Sequence, residues 1–190
     1  MALIGANELK RKTMIKVDGE PFEVVDVSVS SPSARGATTM IKVRVRHLLT
    51  GAVLDKNFRS GEKFEEPDVQ LSPASFLYAD SEGLHFMDEE SFEQFTLPAE
   101  QVGDDRGYLK EGTNAQVLRY EGEAVSLRLP QFVELVVART EPGVSGDRAS
   151  GRDLKPATLE TGLEVRVPLF IKEGERVRVN TQTGEVAGRA

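Results

Sequence analysis

Apolar and charged residues alternate along Met40 to Arg46 (MIKVRVR), and this two-residue period recurs in short runs along almost the whole chain. Successive side chains of a strand point to opposite faces. Ile41, Val43 and Val45 therefore share one face, and Lys42, Arg44 and Arg46 share the other. One face suits a core; the other is basic and suits solvent or phosphate. Met14 to Val17 and Phe22 to Val29 flank Asp18-Gly19, a strong short hairpin signal. Val53 to Phe58 follows the turn at Thr50-Gly51, with Lys56 and Arg59 adding positive charge. Five short strands within the first 65 residues, with little helical period, imply a small closed barrel.

The pattern continues after Glu65-Glu66-Pro67-Asp68, where the composition breaks. Val69 to Leu71, Ser75 to Tyr78, Leu84 to Met87, Asn114 to Tyr120 and Ala124 to Leu129 read as strands. Thr96 and Pro98 to Val102 carry N-cap and first-turn signals for one short helix. A third segment opens with Phe132 to Ala138 and runs into a loop from Thr140 to Pro156, rich in Gly, Ser, Asp and Arg. Strands at Leu163 to Ile171 and Arg176 to Val179 follow, with Arg176 and Arg178 on one face. A loop of that length is functional or mobile. The expected fold class is all-β: three small β-barrels in series, over 1–65, 66–130 and 131–190.

Ser30 to Thr39 joins two of the alternating runs. It is small, polar and rich in turn formers, and it carries one cation, Arg35. Pro32 fixes one φ and Gly36 relaxes another, so the loop can project the guanidinium. Taken alone, it reads as an ordinary connection with a solvated arginine.

The net charge of −7 over 190 residues argues against nucleic acid, but its distribution does not. Residues 1–65 carry +3 (11 Lys/Arg against 8 Asp/Glu), residues 66–130 carry −10 (4 against 14), and residues 131–190 are neutral (9 against 9). A chain polarised in this way can set one end against phosphate. The chain has no cysteine, so it has no disulfide, thiolate metal site or cysteine nucleophile. It has no run of about 18 apolar residues and no signal-peptide pattern, which points to the cytoplasm.

Catalytic constellations are missing. His47 and His85 lack metal spacing and read as ordinary strand residues. Gly143 to Gly146 falls short of a nucleophile elbow, and there is no P-loop. Asp88-Glu89-Glu90 reads as a solvated turn. Phe92 and Phe95 read as core rather than as a stacking platform. With aromatics at 6% and no Trp, base stacking is not the main binding mode.

Several stretches, in order along the chain, closely resemble the bacterial elongation factor P family. They are Val17 to Phe22 (VDGEPF), Leu48 to Gly51 (LLTG), His85 to Met87 with Phe92 to Gln94, Phe132 to Leu135 (FVEL), and Lys155 to Gly174 (KPATLETGLEVRVPLFIKEG). The resemblance implies an SH3-like (KOW-like) barrel followed by two OB-type barrels, arranged in an L that looks like tRNA. It implies a monomeric, non-enzymatic factor without cofactor or metal. Its partners would be the ribosome (rRNA) and peptidyl tRNA. It would act between the peptidyl and exit sites, where the family promotes peptide bonds at consecutive prolines.

In the family, the first barrel's loop reaches toward the CCA end of the peptidyl tRNA, usually with P-G-K-G and a modified lysine. Here the corresponding residues are Pro32, Ser33, Ala34, Arg35 and Gly36. An arginine tip in S-P-x-A-R-G context resembles the elongation factor P-like paralogue branch. Arg35 is thus the expected CCA-end contact and a candidate modification site. Lys42, Arg44, Arg46, Lys56 and Arg59 are the expected tRNA or rRNA phosphate contacts. Gly146, Asp147, Arg148, Arg152 and Lys155 match the third-barrel loop that faces the small subunit. The alternative function is a free-standing RNA-binding β-barrel protein or RNA chaperone, which a net acidic chain poor in aromatics suits badly.

Overall fold

The computed structural model describes residues 3–30, 39–142 and 153–190. The expected contact loop Pro32 to Gly36, and Gly146, Asp147, Arg148 and Arg152, lie outside the described residues. The fold is all-β, with three half-barrel sheets. The chain divides into two compact units, one of 1–72, 97–101 and 117–126 and the other of 73–96, 102–116 and 127–190.

The first unit holds β1 (Leu3–Gly5), β2 (Met14–Val17), β3 (Glu20–Ser30), β4 (Met40–His47), β5 (Val53–Arg59) and β6 (Lys63–Glu65), in the order β1-β6-β2-β3-β4-β5. The turn between β2 and β3 uses Asp18 at φ +55° and Gly19 at φ +84°. Two successive left-handed residues give the primed turn that matches strand twist. Ile41, Val43 and Val45 are buried together with Ile15, Phe22, Val24 and Phe58, as the alternation requires. A second cluster of the same unit gathers Met14, Leu48, Leu118, Tyr120 and Val125. Residues 117–126 thereby pack against β2 and the turn after β4.

The middle sheet comprises β7 (Val69–Ala79), β8 (Leu84–Asp88), β9 (Gln94–Leu97), β10 (Asn114–Tyr120) and β11 (Glu123–Arg128), in the order β11-β10-β7-β8-β9. Its strands are shared out between the two units. The expected short helix is α1 (Ala99–Val102), followed by a 3-10 stretch over Gly103–Tyr108. Two runs separated at Pro73 in the sequence form the single strand β7, which pairs antiparallel with β8 around a bulge between Phe76 and Tyr78.

The second unit contains β12 (Phe132–Thr140), β13 (Leu154–Leu159), β14 (Glu164–Pro168), β15 (Arg176–Asn180) and β16 (Val186–Arg189), in the order β14-β13-β12-β15-β16. Leu135, Val137, Leu159, Val167, Ile171, Val177 and Val179 form its core. Truncating one of the larger members, Leu135→Ala, costs about 2–5 kcal/mol by transfer and cavity effects.

The structure departs from the sequence pattern at three places. Lys155 and Pro156, expected in a loop, belong to β13. Pro156 pairs only with Arg166 of β14, because β12 pairing is confined to Ala157 to Leu159, so its missing N–H leaves no ladder bond open toward β12. Phe92, expected in the core, is 73% exposed and adopts φ +58° at a turn. Phe95 does pack, stacked on Phe86 at 5.6 Å. Asp88 is buried rather than solvated, and its Oδ1 accepts from the amides of Glu90 and Ser91, both at 3.0 Å. No helix among the described residues is long and apolar enough to cross a membrane.

Candidate nucleic-acid interface

β3 and β4 form a long antiparallel hairpin, with register running from Phe22 opposite His47 to Ser30 opposite Met40. Residues 31–39 connect the two strands, so the segment that contains Arg35 joins their far ends. Along the outward face of β4 lie Lys42, Arg44 and Arg46, as alternation predicts. Directly opposed residues share a face in an antiparallel pair. The neighbours of these cations are therefore Ser28, Asp26 and Glu23 on β3, and Asn57, Asp55 and Val53 on β5.

The three cations differ in their surroundings. Lys42 and Arg44 have side chains 54% and 55% exposed. Both pair with Asp55: Lys42 Nζ to Oδ2 at 3.1 Å, and Arg44 Nε donating to Oδ1 at 2.9 Å. The Arg44 hydrogen bond, followed by that of Lys42, holds the Asp55 carboxyl below its ordinary value. Asp55 in turn raises Arg44 above its own. The pairs are exposed and weak. An incoming phosphate can exchange with Asp55 for both cations, and the arginine can present two N–H groups to it.

Arg46 has a side chain only 13% exposed. Its Nη1 lies 3.7 Å from Glu23 Oε2 and donates to the Gln101 carbonyl at 3.4 Å. The Glu23 side chain is 2% exposed, and its other oxygen pairs with Lys12 Nζ at 3.3 Å. Ser126 Oγ donates to Glu23 Oε2 at 3.3 Å. Lys12 is held at φ +72°, with its amide donating to the Val24 carbonyl at 2.8 Å. Gln101 Nε2 donates to the carbonyls of Leu48 and Leu49 at 3.1 and 3.0 Å.

Lys56 stands opposite Val43 and so faces away from Lys42 and Arg44, with its ammonium 5.2 Å from the Phe22 ring centroid. Arg59 stands opposite Met40, on the same face as Lys42, and is exposed. Lys155 is 4% exposed on β13, and its ammonium donates to the Glu141 carbonyl. That ammonium is spent on the backbone rather than offered to solvent.

Both histidines sit on strands, half-buried. His47 Nε2 lies 2.8 Å from Glu20 Oε2, and its ring meets Phe22 edge-on. His85 stacks on Tyr78 and pairs with Asp80 Oδ1 at 2.9 Å. Asp80, Glu82 and His85 bring ligand-type atoms within 4.8 Å of one another. Asp80 Oδ1 also accepts from the Glu82 and Gly83 amides at 2.8 and 3.2 Å, so it caps the turn. The His85 hydrogen bond, then the Glu82 amide, hold Asp80 below its usual value.

Glu23, Asp55 and Gln101 were not legible as site residues in the sequence. Asp55 could have been found by counting register from a four-residue turn over Leu48 to Gly51, which places it opposite Arg44. For Glu23 and Gln101 the signal is absent, because Ser126 over Glu23, and Arg46, Leu48 and Leu49 around Gln101, lie more than 50 residues away in sequence.

Comparison with known proteins supplies the family. The family model described as the elongation factor P KOW-like domain matches residues 5–64. The elongation factor P OB domain matches 69–127, and the elongation factor P C-terminal domain matches 133–189. Elongation factor P of Maridesulfovibrio salexigens is 41% identical over 187 residues, covering 98% of this chain and 99% of its own. The chain belongs to the elongation factor P family. Other members are elongation factor P of Natranaerobius thermophilus, 44% identical over 98% of each chain, and elongation factor P 2 of Protochlamydia amoebophila, 40% identical over 100% of this chain and 98% of its own. Among solved structures, translation initiation factor 5A of Methanococcus jannaschii is 21% identical over 68% of this chain and 92% of its own, with a TM-score of 0.42. A superposition that loose carries no weight. Membership over the full length makes the chain a member of a family of translation elongation factors.

Proposed function

We propose that this protein binds the ribosome between the peptidyl and exit sites and promotes peptide-bond formation at proline-type stalls. The observation that carries the reading is a full-length family match in a chain whose sequence has Pro32-Ser33-Ala34-Arg35-Gly36 between β3 and β4. Arg35 contacts the CCA end of the peptidyl tRNA and holds it in a productive pose. A guanidinium can grip phosphate with two parallel hydrogen bonds and stack on a base, which an ammonium cannot do. The ribosome performs the chemistry, and the factor contributes by positioning, an effect worth several kcal/mol when reacting groups are well aligned.

Lys42, Arg44 and Arg59 offer charge on one face of the first sheet for tRNA or rRNA phosphate, and Lys56 offers it on the other. Residues 146–148 and 152 face the small subunit. The three domains span 1–65, 66–130 and 131–190. The protein works as a cytoplasmic monomer without cofactor.

Translation in vitro of a reporter with a proline run tests the reading. Added wild-type protein, checked by intact mass for an adduct on Arg35, should restore full-length product and should co-sediment with ribosomes. Binding to naked oligonucleotides with no ribosome association and no rescue would favour a free-standing RNA-binding protein instead.

A further inference from the structure

Both faces of β3 are covered at its first turn-proximal residues: Pro21, Phe22, Glu23 and Val24 are all buried. On an isolated two-faced sheet, Glu23 would be solvated. Here the outward face at Glu23 is roofed within the first unit by 97–101 and 117–126, through Gln101 and Ser126. Glu23 and Arg46 are directly opposed in the β3–β4 register, at the base of the hairpin. Arg46, its charge turned to Glu23 and its Nη1 bonded to the Gln101 carbonyl, is poorly placed to meet phosphate. Gln101 closes the arrangement by bonding the carbonyls of Leu48 and Leu49, just beyond the end of β4.

From Glu23 to Ser30 the strand advances roughly 23 Å, at about 3.3 Å per residue. A lever of that length turns a slack of about 5° at the base into roughly 2 Å at the far end, and misplacement of about 1 Å can cost 100-fold in rate. A buried carboxylate with cations on both oxygens resists such slack, because any opening strands a charge away from water.

We infer that Glu23 and Arg46 are positioning residues: they clamp the base of the β3–β4 hairpin to 97–101 and 117–126 and so aim Arg35. This rests on the function proposed above. A phosphate ligand and a clamp differ in what they change. Loss of a phosphate ligand weakens binding and lowers its salt dependence by about one. Loss of a clamp leaves binding in place and lowers the rate at saturation.

The test compares E23Q, R46Q, S126A and R44Q in the full chain, measuring proline-reporter rescue against factor concentration at several salt concentrations. For E23Q and R46Q the maximal rescue rate should fall about tenfold or more, with the half-saturating concentration within about twofold of wild type. R44Q should raise the half-saturating concentration and lower the salt dependence. S126A keeps every charge and removes one donor, so it should show a smaller fall of the same kind even if the charge variants fold poorly. If R46Q behaves like R44Q, the inference is overturned.

Hydrogen exchange supplies an independent arm. In E23Q the amides of 20–30, 40–47, 97–101 and 117–126 should exchange faster together, while 132–140 and 176–180 stay as in wild type. Faster exchange confined to 20–47 would overturn the clamp. Absence of rescue by the wild-type protein would defeat the functional reading instead, and the exchange pattern would still decide the clamp.

Discussion

Arg44 and Arg46 stand two residues apart on the same face of the same strand, yet they belong to different environments. Arg44 is exposed and shares Asp55 with Lys42 at the open part of the sheet. Arg46 is enclosed with Glu23, Gln101 and Ser126 at the hairpin base. Identical chemistry and identical sequence pattern thus give one cation available for exchange and one committed to the interior. What separates them is the cover over the strand, because a charge pair in water is worth little and a dry one is costly to break.

The sharpest way to break this contrast is to remove one partner at each end. Glu23→Ala should destabilise the first unit by about 3–5 kcal/mol, since it leaves Arg46 buried without its carboxylate. A shifted midpoint in urea unfolding, followed by a probe within residues 12–58, reports it. A midpoint unchanged from wild type would place Glu23 in water after all.

Asp55→Asn should act on binding more than on stability. It frees Lys42 and Arg44 from their competing anion, so ribosome affinity should rise at low salt and the gain should fade as salt is added. Titration of ribosome binding at low and moderate ionic strength checks it. Weaker binding by the variant would show that Asp55 itself contacts the partner.

A smaller effect sharpens the comparison through pH. Asp55 has a folded value below its ordinary 3.8, so the folded state binds this proton less readily than the unfolded chain does. Its contribution is therefore complete above the ordinary value and is lost as pH falls through the lowered one. Wild type and Asp55→Asn should differ slightly in melting temperature at pH 7 and converge in strong acid. A difference that grows with acidification would contradict the pairing.

Much of this was legible in the sequence, for identifiable reasons. Period-two alternation placed Ile41, Val43 and Val45 in the core and put Arg176 and Arg178 on a common face. The Asp18-Gly19 and Glu121-Gly122 turns appear with consecutive positive φ values; Asp18 and both glycines suit that backbone by residue type, and Glu121 does not. Local pattern failed at three places. β13 looked like loop because Gly and Ser precede it and Pro156 interrupts it, but its pairing is set by β12 and β14. Phe92 looked like core because an aromatic near Phe95 suggests a helical stripe, whereas the Asp88 cap bends the chain and turns it outward. Alternation showed which face Arg46 occupies, but not that residues 97–101 and 117–126 cover it.

The most direct test of the central claim is the rate of peptide-bond formation on ribosomes stalled at consecutive prolines, at saturating factor, for wild type and Arg35→Ala. The variant should still bind ribosomes and keep its fold while the rate falls nearly to that without factor. A variant that accelerates the reaction as well as wild type would contradict positioning by Arg35.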